Sequence, residues 1–165
     1  MNNLKKVLRE IFPYIVIIVI VLLVKAFIFT PVIVNGPSML NTLHDKDIMI
    51  LDKIGMKLSG IDRFDIVVIQ TDHNKIIKRV IGLPGETIEY RDNKLYINDK
   101  ELEDSFANGI TYDFEKIEIP KNSYYVLGDN REDSVDSRIL GTITKQDILG
   151  HATFIIYPFH RFGSR

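Results

Sequence analysis

Residues Ile11 to Phe29 form a 19-residue apolar run interrupted only by Pro13, Tyr14 and Lys25. A helix rises about 1.5 Å per residue, so roughly 20 apolar residues span about 30 Å of hydrocarbon, and this run suffices. Pro13 falls in the first turn, where a missing N–H costs little. Lys25 lies near the far end, within snorkelling reach of the headgroups. Lys5, Lys6 and Arg9 precede the run, which sets the N-terminus in the cytoplasm. A cleavable leader would end in small residues, whereas Phe27-Ile28-Phe29-Thr30-Pro31 is bulky and holds a proline. A buried core helix is normally amphipathic, and Ile15 to Val24 is apolar on all sides. The expectation is a cytoplasmic tail over 1–10, an uncleaved transmembrane anchor over 11–30, and an extracytoplasmic domain over 31–165.

The chain has 165 residues, enough for one compact domain beside the anchor. Its formal net charge of −1 offers no basic excess to neutralise phosphates, which argues against nucleic acid as a partner. The absence of cysteine removes disulfides, thiolate nucleophiles and cysteine–zinc sites together. A domain outside the cytoplasm must then be held by its core alone.

After the anchor, short β-branched runs dominate: Val32–Val34, Ile48–Leu51, Ile66–Ile69, Lys75–Ile81, Thr87–Tyr90, Lys94–Ile97, Ile117–Ile119, Tyr124–Leu127 and Ala152–Tyr157. Asp92-Asn93 and Asn98-Asp99 supply turn chemistry, and the first predicts a hairpin of Thr87–Tyr90 with Lys94–Ile97. Gln146–Leu149 reads as a short helical turn capped by Thr144. Phe106–Phe114, with Asn108-Gly109, reads as a longer loop. The pattern predicts a mainly β domain, an antiparallel barrel or sandwich, preceded by one transmembrane helix.

Three segments carry candidate chemistry. Gly36-Pro37-Ser38-Met39 makes a tight turn after the strand Val32–Val34, and such a turn can project a hydroxyl and aim backbone N–H groups at a developing oxyanion. Read alone, Ser38 is more simply an ordinary turn serine. Lys78 sits among Ile76, Ile77, Arg79, Val80 and Ile81. A lysine with a pKa near ~10.4 costs roughly 4–5 kcal/mol to deploy as a neutral base at pH 7, and desolvation reduces that cost. Strand alternation sends Arg79 to the opposite face, and Lys75, beside the polar Asp72-His73-Asn74, reads as solvated. The plainer reading of Lys78 is a strand-edge lysine.

The third segment runs from Gly128 to Arg138 and reads as too polar for a core. Taken alone it is a solvated loop or an oxygen-rich calcium loop. Its spacing fits no EF-hand, and two arginines argue against a dication. Alternatively, Asp136 and Arg138 brace a catalytic platform, with Ser134 offering a hydroxyl to a neutral amine. His44, His73, His151 and His160 all read as surface or strand-end residues, without metal-ligand spacing, so neither a Ser-His-Asp triad nor a metal site is expected. No cofactor is implied.

In order and separation, these three segments together with the anchor resemble the bacterial type I signal peptidases over nearly the whole chain. The resemblance implies Ser38 as nucleophile, Lys78 as general base, Ser134 as the serine that positions the amine, and Asp136 with Arg138 as the supporting pair. Eukaryotic-type relatives carry histidine where this chain has Lys78. The oxyanion would meet the backbone N–H of Ser38. Some family members add a serine hydroxyl two residues earlier, where this chain has Gly36. The short spacing between the second and third segments resembles the compact, single-anchor form typical of Gram-positive bacteria. The implied partners are preprotein signal peptides, bound extended with small residues at the first and third positions before the cut, and the lipid bilayer. Phe154–Phe159 and Phe162 offer a further lipid contact, the first four reading more simply as a core strand.

Two rival readings remain, the first from another class and the second a related serine/lysine protease. An inactive membrane-anchored binding module would keep the strands and lose the Ser38/Lys78 pair. A repressor-type self-cleaving protease would need a DNA-binding domain where the anchor stands. A sortase-like transpeptidase is excluded by the missing cysteine.

Overall fold

A computed structural model of the chain describes every residue except 1, 28 and 73, and omits the side chains of 2–6, 8, 22–27 and 29. Helix α1 runs Asn2–Phe27 and is followed by β1 (Phe29–Ile33), β2 (Ile48–Asp52) and the short helix α2 (Lys53–Ser59). Next come β3 (Ile66–Gln70), β4 (Lys75–Gly82), β5 (Thr87–Arg91), β6 (Lys94–Ile97), β7 (Lys100–Leu102), β8 (Phe114–Glu118) and β9 (Ser123–Leu127). Helix α3 (Ser137–Leu140), β10 (Ile143–Thr144), β11 (Ile148–Tyr157) and β12 (Gly163–Ser164) complete the chain.

All strand pairs are antiparallel. The larger sheet runs β1-β2-β11-β3-β4-β9-β10, with β12 beside β11, and the smaller runs β7-β6-β5-β8. Strand β3 is buried without alternation because it is covered on both faces. Ile66 and Val68 join a core with Met39, Leu43, Met49, Leu51 and Ile155, while Val67 and Ile69 join a second with Val80, Val126 and Ile148. A third core lies between the sheets, where Ile81, Tyr125 and Leu127 meet Ile88, Leu95 and Ile119.

Strand β4 is the pivot of this topology. Along Lys75–Arg79 it pairs with β3, and only from Arg79 to Gly82 does it pair with β9 on its other edge. Upstream of Arg79 that second edge carries no partner strand among the described residues. Strand β1 is likewise paired only with β2. Among the described residues the sheet is therefore open rather than a closed barrel, and the outer edge of β1 and the first half of β4 are both unpaired. Pro31 sits within β1, as a residue lacking an N–H can on an edge strand.

The expected hairpin forms as β5–β6, with Asp92 at φ 53° and Asn93 at φ 58° supplying the left-handed turn. The helical turn expected at Gln146–Leu149 is instead a single 3-10 turn at Lys145–Asp147, because Ile148 is already drawn into β11. Thr144 does not cap it; its hydroxyl bonds the Asp147 carboxylate at 2.7 Å. His151 corrects the reading of the histidines as surface or strand-end residues. It lies inside β11, buried, with Nε2 3.3 Å from Asp65 Oδ2. His73 falls outside the described residues.

Helix α1 stands where the apolar run predicts a helix. Among the described residues no helix is long and apolar enough to cross a membrane; the described side chains of α1 end at Val21.

The smaller sheet is fastened to the larger by Arg131. Its guanidinium donates to Gly128 O at 2.9 Å, Tyr90 Oη at 2.7 Å, Thr111 Oγ1 at 2.9 Å and Asp104 Oδ2 at 2.6 Å. Removing one partner of a buried ion pair leaves the other charge stranded, at a cost of about 3–5 kcal/mol. Arg131→Ala is expected to lose stability on that scale in chemical denaturation of the detergent-solubilised chain.

Candidate active site

The turn after β1 places Ser38. Val34 continues the pairing with β2 by donating to Asp47 O at 2.8 Å, and the chain then reverses at Gly36. Gly36 has φ +88°, a left-handed conformation that disfavours any side chain, which gives a local reason for glycine at this position. Its N–H is held by Asp45 Oδ1 at 2.8 Å, and that bond keeps the Asp45 carboxyl below its ordinary range. Met39 and Leu43, fully buried in the core beneath, fix the far side of the turn. Burial of such side chains is worth about 1.5–3 kcal/mol each.

Strand β4 brings Lys78 to this turn. Lys78 Nζ lies 2.7 Å from Ser38 Oγ and 3.0 Å from Ile77 O, and the residue is 3% exposed. Burial pushes its pKa down from 10.5 to about 8, opposed by the carboxylates of Asp136 and Asp129. Lys75, three residues earlier, is exposed, as the sequence indicates. Arg79 turns away from Lys78 and is also buried, forming a two-pronged pair with Asp129 at 2.8 and 2.6 Å. Thr42 Oγ1 donates to the same carboxylate at 2.5 Å, which links this pair to the chain just after Ser38.

The third segment is not the solvated loop its composition indicates. Asp129, Arg131, Asp136 and Ser137 are buried, each with polar partners. Burial pushes the Asp136 carboxyl up, but the Arg138 guanidinium and the Gly128 N–H outweigh it and hold the group below its ordinary range. Arg138 Nε and Nη2 both reach Asp136 at 2.8 Å. The Ser134 hydroxyl adds a weaker pull on that carboxylate, yet among the described residues its buried Oγ makes no hydrogen bond of normal geometry, to Lys78 or to any other group. Ser134 packs over Gly128, where a Cβ would lie 2.2 Å from its Oγ and 2.5 Å from Ser38 O. Only glycine lets the third segment approach the Ser38 turn this closely.

Ser38, Lys78 and Gly36 thus meet in one place, with Asp136 close enough to act on Lys78 through its charge. Sequence reading overlooked the Arg79–Asp129–Thr42 network. The available signal was strand alternation, which drives the Arg79 cation into an apolar sheet where it requires a carboxylate. A groove of about 720 Å³ leads to Ser38 and Lys78 between β1 and β4, lined by Val32, Val34, Met39, Leu51 and Ile77, with Lys53 and Lys75 also on its wall.

The family model described as signal peptidase, peptidase S26, matches residues 7–157. The chain belongs to this family. It is 37% identical over 169 residues to signal peptidase I S of Bacillus subtilis, covering 94% of this chain and 92% of that protein. Signal peptidase IB of Staphylococcus aureus is 35% identical over 178 residues, covering 96% and 93%. A crystal structure of a signal peptidase I from Enterococcus faecalis matches with a TM-score of 0.51 at 37% identity, covering 56% of this chain and 97% of that one. The Bacillus and Staphylococcus matches each cover more than nine-tenths of this chain, so they take in most of the apolar run 11–29 as well as the β domain.

The buried lysine has a cost that can be measured. The folded chain releases the Lys78 proton near pH 8 and an ordinary lysine near 10.5. Between those values the unfolded state binds more protons, so stability rises with pH. Lys78→Met is expected to be about 3 kcal/mol more stable than wild type at pH 7, by denaturant unfolding. The gap should close as pH climbs from about 8 towards 10.5.

Proposed function

We propose that this chain is a membrane-bound serine endopeptidase that removes N-terminal signal peptides from exported preproteins, with Ser38 as nucleophile and Lys78 as general base. The observation that carries the reading is the 2.7 Å contact between Ser38 Oγ and a buried Lys78 Nζ. With a pKa of about 8, roughly a tenth of the lysine is neutral at pH 7, at a cost of about 1.4 kcal/mol instead of nearly 5. Neutral Lys78 takes the Ser38 proton as Oγ attacks the scissile carbonyl, and the tetrahedral oxyanion meets the Ser38 N–H. Lys78 then gives its proton to the departing amine, leaving an acyl-enzyme. In the second half, Lys78 takes a proton from water as it attacks the ester, then returns that proton to Ser38 Oγ as the new carboxyl terminus departs. Asp136, with Arg138, supports the platform beneath, and Ser134 is assigned to orienting the amine during turnover.

The groove supports an extended substrate. An incoming strand laid between the free edges of β1 and β4 would gain main-chain hydrogen bonds from both sides. Its apolar lining beside Ser38 suits small residues at the first and third positions before the cut. The inactive-module reading is not supported, since the hydroxyl and amine are both present and in contact.

Residues 11–30 are assigned as the anchor, with 1–10 cytoplasmic and 31–165 on the outer face. Every described side chain from Ile11 to Val21 is exposed, so this apolar stretch has no protein cover. Lipid provides it. Tethering enzyme and preprotein to one surface raises their effective concentration. Phe159 and Phe162, both exposed, are assigned to further contact with the bilayer.

The test is cleavage of a secretory preprotein by the detergent-solubilised chain beside Ser38→Ala and Lys78→Ala. Processing by wild type alone is expected, with kcat/KM rising along an acidic limb centred near pH 8. Equal processing by either variant would falsify the assignment.

A further inference from the structure

We propose that Asn130 is a positioning residue that orients the Pro37–Ser38 peptide so that the Ser38 N–H faces the substrate as the oxyanion donor; this rests on the serine endopeptidase reading above. The carbonyls on both sides of the Ser38 N–H are held by this one residue, 92 positions further along the chain. The Asn130 backbone N–H donates to Ser38 O at 3.0 Å, and its side-chain Nδ2 donates to Pro37 O at 3.2 Å. A carbonyl oxygen only accepts, so the side-chain atom facing Pro37 O is the amide nitrogen. Leu40 N–H adds a second bond to Pro37 O at 3.0 Å.

The consequence follows from peptide geometry. The Pro37–Ser38 bond is trans, and in a planar trans peptide the N–H points opposite to the C=O. Fastening Pro37 O towards Asn130 therefore turns the Ser38 N–H the other way. That N–H donates to no described residue, and Ser38 lines the groove. Asn130 is itself fixed by Asn108, whose N–H donates to Asp129 O at 2.8 Å and whose carbonyl accepts from Arg131 N at 3.0 Å. Asn108 Nδ2 also reaches Leu40 O, at a longer 3.4 Å. The carbonyl side of the nucleophile turn is thus occupied by two asparagines, and its amide side is left for the substrate. Gly36 supplies no side-chain hydroxyl, so the orientation of this single N–H matters more.

A purely structural rivet and a positioning residue predict different kinetics. Misplacing an oxyanion donor weakens the transition state and leaves substrate binding alone. With the full-length, detergent-solubilised chain, Asn130→Ala is expected to lower kcat on a preprotein by about 10- to 100-fold, with little change in KM. A peptide boronic acid, whose adduct with Ser38 places an oxygen in the oxyanion position, should lose affinity by the same factor as kcat/KM. A non-cleavable peptide with proline after the scissile position should bind as before. Asn130→Asp keeps the shape but turns an oxygen towards Pro37 O, and should lose at least as much activity at an unchanged unfolding temperature. If wild type cleaves and Asn130→Ala matches its kcat, this proposal fails while the endopeptidase reading stands. Equal weakening of boronate and non-cleavable peptide would reduce Asn130 to a rivet. A wild type that leaves the preprotein intact would overturn the reading on which the proposal depends.

Discussion

Lys78 is an ammonium taken out of water, and the surrounding architecture supplies the burial and the opposing charges that set its properties. In water the group would hold its proton far too tightly to serve as a base near neutral pH. Strand β4 places it where a sheet and a tight turn close over it, and the loss of hydration brings its pKa to about 8. The carboxylates of Asp136 and Asp129 pull in the other direction. Each of those is itself occupied by an arginine, which limits how far either can restore the lysine's ordinary behaviour. The proposed chemistry depends on that balance.

Three arginine–aspartate pairs do most of the organising around it: Arg79–Asp129, Arg131–Asp104 and Arg138–Asp136. Buried ion pairs of this kind contribute little net stability compared with apolar side chains of similar volume. Their value here is geometric. Arg79–Asp129 joins β4 to the third segment and, through Thr42, to the chain after Ser38. Arg131 ties that segment to the smaller sheet. The Ser38 turn is thereby referenced to both sheets, although only one of them carries it.

Most strands were legible because β-branched runs bounded by turn residues leave a strong local pattern. The β5–β6 hairpin is the clearest case, since Asp92-Asn93 tolerates the left-handed backbone its turn requires. Helix α2 was not legible: it is seven residues long, contains Gly55 and buries none of its residues. Its surviving signal is the Asp52 cap on Ile54 and Gly55, which only the structure picks out from other aspartates. Ser38, Lys78 and Gly36 were found from local context and resemblance. The burial of Asp129, Arg131 and His151 was missed because their partners lie far away in sequence, and no spacing rule reports a contact between positions 79 and 129. The two asparagines at the Ser38 turn were missed for the same reason.

In the proposed mode of binding, the unpaired edges of β1 and β4 impose a filter on conformation. An unpaired edge invites pairing with any strand, and Pro31 on one side and Lys75 on the other make such pairing less indiscriminate. What can settle between them is a chain whose backbone donors and acceptors are not already committed. A peptide bond inside a folded domain has spent those groups on its own helices and sheets, so it is passed over whatever its side chains. Exported proteins that have finished folding are therefore safe beside this enzyme, and the extended junction behind a leader is exposed to it.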